Sequence, residues 1–77
     1  MTAFTIPDSI DVHVGARIRD RRRELRLSQS DLAKALGLTF QQVQKYERGR
    51  NRVSASKLWY IAKALDVAVQ WFFEELS

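Results

Sequence analysis

Residues 27–51 read LSQSDLAKALGLTFQQVQKYERGRN, and this stretch decides the fold. Ser28 can N-cap a helix, with Asp31 at the third helical position as its capping-box partner. Leu27 before the cap and Leu32 after it stand where a hydrophobic staple closes. Gly37 suits a left-handed C-terminal cap. The scheme then repeats. Thr39 is the cap, Gln42 its partner, Leu38 and Val43 the staple, and Gly49 the close. Each helix start is marked twice, and only Gly37, Leu38 and Thr39 separate the two helices.

A glycine-containing turn of this length between short helices is the helix-turn-helix signature. Ala33 supports it, because a small residue in mid-helix lets the next helix cross closely. Taken alone, the same pair of helices also fits plain packing. A third staple and cap follow at Val53, Ser54 and Leu58, opening a helix through Ile61, Ala62 and Leu65 that ends near Asp66. VAVQWFFEEL reads as a short final apolar helix. Upstream, Val14, Ile18 and Leu25 share one side of a helix, with Arg22 on the same stripe. Pro7 and its polar neighbours suggest an extended arm over residues 1–11, with the folded domain over 12–77. No segment alternates long enough to make a strand. The expected fold is all-α, with five helices.

With 77 residues, one domain with a modest core is the reasonable count. The hydrophobic fraction of 45% is that of a globular chain rather than a disordered one. The absence of cysteine excludes disulfides and thiolate metal sites, and it fits a reducing cytoplasm. No apolar run approaches a membrane span, and the acidic start lacks the basic region of a signal peptide. A cytoplasmic protein is therefore expected. His13 is the lone histidine, read as an ordinary surface residue near a helix start. No nucleophile, metal-ligand cluster or phosphate loop is evident. Asp20, Glu24, Glu74 and Glu75 look like helix-surface charges, so neither an enzyme nor a cofactor, metal or small-molecule ligand is expected.

Charge is concentrated. Residues 17–57 hold 12 of the 13 basic residues and carry +8, whereas the segments on either side carry −2 each. Such a field favours a polyanion, most often nucleic acid, although a solvated arginine-rich face would look the same. The helix from Phe40 separates these readings. Advancing about 100° per residue puts Val43 and Tyr46 on one side and Gln41, Gln44, Lys45 and Arg48 on the other, with Glu47 at the edge of the core side. Gln can pair bidentately with adenine, and Lys or Arg with guanine. A merely solvated face would more commonly show Glu–Lys pairs. Phe40 can pack on the preceding helix or touch a thymine methyl. Gln29 can bond a phosphate at the start of its helix or brace a neighbouring glutamine. Arg48, Arg50, Asn51 and Arg52 ring the following loop, placed for phosphate contacts that position without reading sequence.

The motifs SQxxLA, the G-x-T turn, QKYERG and S-x-x-x-L…IAKAL together resemble the Cro/C1-type (XRE-like) helix-turn-helix family of bacterial and phage transcriptional regulators. The resemblance covers roughly residues 13–73. It implies a five-helix bundle of the lambda-repressor-like type that binds double-stranded DNA, usually as a homodimer on a palindromic operator. By position, Phe40, Gln41, Gln44 and Lys45 would face bases, and Gln29 and the RGRNR loop would hold phosphates. Many relatives carry a polar residue where Phe40 stands. The family also implies that Arg22 pairs with Glu47, which accounts for an arginine on an apolar stripe and a glutamate beside the core.

The function expected is sequence-specific transcriptional regulation, with repression by promoter occlusion the least demanding mechanism. An alternative is an antitoxin-like protein-binding module that also represses its own operon. Trp59, Tyr60 and Phe73 motivate it as partner-surface aromatics, whereas Trp71 and Phe72 are assigned to the core.

Overall fold

Side-chain caps set where the helices begin. In the computed structural model, which describes residues 8–76, helices α1 (Ser9–Glu24), α2 (Gln29–Leu36), α3 (Phe40–Glu47) and α4 (Ala55–Leu65) precede a 3₁₀ helix (Val69–Phe73). At α2, Ser28 Oγ accepts from the Asp31 N–H at 2.9 Å and Asp31 accepts from the Ser28 N–H at 2.9 Å. At α3, Thr39 Oγ1 accepts from the Gln42 N–H at 3.1 Å and Gln42 accepts from the Thr39 N–H at 3.0 Å. Ser54 caps α4 by accepting from the Lys57 N–H at 3.1 Å. Each cap is worth about 0.5–2 kcal/mol, a useful fraction of a small domain's stability. Gly37 ends α2 at φ 67° and ψ 32°, the left-handed region open to glycine at little cost.

Two elements differ from the sequence expectation. Helix α1 starts at Ser9, inside the expected arm, because the Asp8 side chain accepts from the Ile10 N–H at 2.8 Å and caps it. The rest of that arm, residues 1–7, lies outside the described residues. The last element is a five-residue 3₁₀ helix, so the described residues hold four α-helices rather than five. Its i→i+3 bonds run from the Trp71 N–H to Ala68 O at 3.0 Å and from the Glu74 N–H to Trp71 O at 3.3 Å. Among the described residues no helix is long and apolar enough to cross a membrane.

The core is one cluster: Val14 and Ile18 of α1, Leu32 and Ala33 of α2, Val43 of α3, Leu58, Ile61, Ala62 and Leu65 of α4, and Phe72. Helix α2 packs on α3 and α4, and α1 packs on α3 and the 3₁₀ helix. Leu25, placed on the apolar stripe by periodicity, is exposed at the C-cap of α1, where the chain has left the helix. Gly15 lets α1 meet the end of α3. A Cβ there would lie 2.9 Å from Glu47 O and closer still to Tyr46 O.

Candidate nucleic-acid interface

Helix α3 is fixed from its inner side. Val43 is buried in the core, Tyr46 packs against it, and Glu47 is buried beside Arg22. The Arg22 Nε donates to Glu47 Oε2 at 2.6 Å and its Nη2 donates to Oε1 at 3.0 Å, a bidentate fork. The remaining guanidinium nitrogen, Nη1, donates to Leu27 O at 2.8 Å, in the connection before α2. The hydrogen bonds and charge of Glu47 raise the Arg22 pKa above its ordinary value against the opposing effect of burial. One buried arginine thereby ties α1, the α1–α2 connection and α3 together.

Gln29 completes this network. Its Nε2 donates to Glu47 Oε1 at 2.9 Å, so the first residue of α2 is held against the last residue of α3. Of the two roles open to Gln29 in the sequence, bracing is therefore seen, with Glu47 in place of the neighbouring glutamine that role had named. The amide carries a second N–H that can still donate to a phosphate. No buried side-chain nitrogen or oxygen among the described residues lacks a partner.

The outer side of α3 carries the polar set. Gln41 and Lys45 are exposed, Gln44 is half-buried, and Phe40 is exposed at the first turn. Gln42 is spent on the cap. Beyond α3 the backbone folds back on the helix end, with the Arg50 N–H donating to Lys45 O at 3.0 Å. Arg48, Arg50, Asn51 and Arg52 are exposed in and beside this loop. Gly49 takes φ 72°, and a Cβ there would lie 2.7 Å from the Val12 Cα, so both its conformation and its seat against α1 exclude a side chain.

Several basic residues counted toward the central positive block act elsewhere. The Arg17 guanidinium lies 3.8 Å from the Trp71 ring centroid and donates to Trp71 O through Nε at 3.1 Å and Nη2 at 2.7 Å. It also pairs with Glu74 at 3.4 Å. Arg21 Nε donates to Leu65 O at 2.9 Å, capping the carbonyl end of α4. His13, expected as an ordinary surface residue, is half-buried with its Nε2 2.8 Å from Glu74 O. The Arg17 and His13 contacts fasten the 3₁₀ segment to α1, and the Arg21 contact fastens the end of α4 to it. The sequence signal for them is weak: arginines flanking the apolar stripe of a first helix, with carbonyl partners 54 and 44 residues away. Arg19, Arg23, Arg26, Lys45 and the loop arginines remain on the surface as the exposed positive field.

A short glycine-marked turn, a helix clamped from behind and a loop of exposed arginines are on one molecule. A model of helix-turn-helix domains matches residues 18–72. The chain belongs to the XRE-like helix-turn-helix family of transcriptional regulators. It is 58% identical over 68 residues to a transcriptional regulator in the ATPase CF(0) region of Rhodospirillum rubrum, across 88% of this chain and 63% of that protein. The chain thus spans less than two thirds of that relative's length. Among solved structures it is similar to the restriction-modification controller protein C.AhdI of Aeromonas hydrophila. The TM-score is 0.77 at 37% identity, over 80% of this chain and 94% of that one. It is also similar to the P22 c2 repressor, solved in complex with a synthetic operator, with TM-score 0.73 at 28% identity over 79% and 92% of the two chains.

Proposed function

We propose that this chain is a sequence-specific DNA-binding regulator, acting in the cytoplasm as a repressor, with α3 in the major groove. One observation carries the reading. Every apolar or acidic side chain of α3 after Phe40 is turned inward and fixed, and the free outward side presents Gln41, Gln44 and Lys45. These are the side-chain types that pair with adenine and guanine edges. Phe40 sits at the start of the same helix, able to meet a thymine methyl. Arg48, Arg50, Asn51 and Arg52 supply phosphate contacts, and Gln29 supplies another from the start of α2. The folded domain begins at Asp8, the cap of α1, rather than at residue 12. A homodimer on a palindromic operator would set two α3 helices about 34 Å apart, one turn of DNA. Selection of bound sites from random duplexes tests this. An inverted repeat with half-sites one helical turn apart is expected. Enrichment of no sequence at all would overturn it.

A second reading has its own observation. Trp59, Tyr60 and Phe73 are 49%, 56% and 40% exposed, which is unusual for large aromatics in so small a domain. Trp59 and Tyr60 meet edge to face with centroids 5.2 Å apart, and Lys63 lies over Trp59. This surface fits an antitoxin-like module that holds a second protein and regulates its own operon besides. Co-purification of a stoichiometric unrelated protein would favour it, and a homodimer binding DNA alone would count against it.

A further inference from the structure

We infer that Asp11 is a positioning residue for DNA binding: it anchors one edge of the Arg52 guanidinium and leaves the other edge free as a fork for phosphate. The inference rests on the DNA-binding reading and adds a residue to it from an unexpected place, the first turn of α1. Asp11 Oδ2 lies 3.3 Å from Arg52 Nε. The two partners are unequal, with the Asp11 side chain 19% exposed and that of Arg52 77% exposed. The carboxylate is the held partner and the guanidinium the free one. Only Nε is engaged with protein among the described residues, so Nη1 and Nη2 remain in solvent, the pair that meets a phosphate end-on.

The backbone around the pair is rigid for a separate reason. Gly49, three residues before Arg52, sits so close to Val12 that a Cβ would lie 2.7 Å from its Cα. Gly15, one turn further along α1, sits against the Tyr46 and Glu47 carbonyls. Two close backbone approaches thus key α1 to the end of α3 and the loop, and Asp11 lies one residue from the first of them. Its carboxylate keeps a fixed place relative to the loop. Arginine loses much rotamer freedom when it closes on a phosphate, and an anchor at Nε removes part of that loss before DNA arrives.

The sign of the effect makes the idea testable. By charge alone, a carboxylate beside a phosphate contact repels DNA, and its removal should tighten binding. An anchor predicts the reverse. The probe is a fluorescein-labelled duplex of mixed sequence, titrated with the full chain by anisotropy at a series of KCl concentrations. Asp11→Ala is expected to weaken binding roughly twofold to tenfold. The salt slope should stay near that of wild type, because the arginine charge remains. Arg52→Ala should weaken binding and reduce the slope by about 0.9, as loss of one phosphate contact does, and adding Asp11→Ala to Arg52→Ala should cost nothing more. Asp11→Asn, which keeps an acceptor oxygen at the helix start, should fall between wild type and Asp11→Ala, and it serves should the alanine variant fail to fold.

Tighter or unchanged binding by the Asp11 variants would overturn the inference. So would an equal loss from Asp11→Ala with and without Arg52, which would mark a general effect on α1. If Arg52→Ala is silent while Arg50→Ala weakens binding, the anchor is wrong and the DNA-binding reading stands. If the wild-type chain binds no duplex at low salt, the reading itself fails.

Discussion

Glu47→Ala is expected to be among the most damaging single changes in this domain. Glu47 and Arg22 are 2% and 9% exposed, so water can take up little of the charge either leaves behind. Glu47 accepts three hydrogen bonds, two from Arg22 and one from Gln29. Truncation removes all three and strands a buried guanidinium with Leu27 O as its remaining acceptor. Breaking a buried pair from one side costs about 3–5 kcal/mol. A domain of this size has on the order of 4–12 kcal/mol of stability at 0.05–0.15 kcal/mol per residue. The variant should therefore lose a large share of it, and melt about 12–40 °C lower at 4–8 °C per kcal/mol. Urea unfolding followed by circular dichroism at 222 nm measures the loss. The double change Arg22→Met with Glu47→Leu separates the causes, because it removes both charges and keeps side-chain volume. It should recover most of what either single change loses. A loss below about 1 kcal/mol for Glu47→Ala would refute the reasoning, since it is the value of an exposed pair.

Other outcomes follow from the same geometry. Gly15→Ala should destabilise the fold by roughly 1–3 kcal/mol, read by the same urea titration, because its Cβ would press on the Tyr46 and Glu47 carbonyls. Gln41→Ala and Lys45→Ala should each cost about 1–3 kcal/mol of discrimination at one base pair of the selected site, measured by competition among site variants. Arg50→Ala should instead weaken all sequences alike and lower the salt slope by about 1. Asp31 has its pKa lowered by accepting the Ser28 N–H, so it contributes stability above the unfolded value near 3.8 that disappears as pH falls through the folded value. Asp31→Asn should accordingly flatten the acid limb of a stability–pH curve below about pH 4 while leaving its neutral shape unchanged.

What the chain disclosed in advance was local. The capping boxes at Ser28 and Thr39 close between residues three apart, so spacing alone specifies them. The facing of α3 followed from periodicity, because Val43 and Tyr46 demand the core and leave Gln41 and Lys45 opposite. What stayed hidden was tertiary. Gln29 meets Glu47 because two helix ends converge in space, and spacing along one helix does not report that. Arg17 and Arg21 were counted as positive field, yet they close the carbonyl ends of elements near the other end of the chain. The start of α1 is not legible in the sequence because Pro7 reads as extended chain, while Asp8 beside it caps. The last segment has apolar residues enough for a helix. Five residues between Ala68 and Glu74 are too few for α-helical bonds to accumulate, and i→i+3 bonds form instead.

The proposed function stands or falls on whether the outward side of α3 reads DNA. Its most direct test is a titration of ¹⁵N-labelled protein, backbone and side-chain amides together, with the selected duplex. The largest shifts are expected at the side-chain amides of Gln41 and Gln44, at the backbone of Lys45 and across Arg48–Arg52, with α4 little changed beyond any dimer contact it makes. Shifts centred on Trp59 and Tyr60, with Gln41 and Gln44 unmoved, would contradict it.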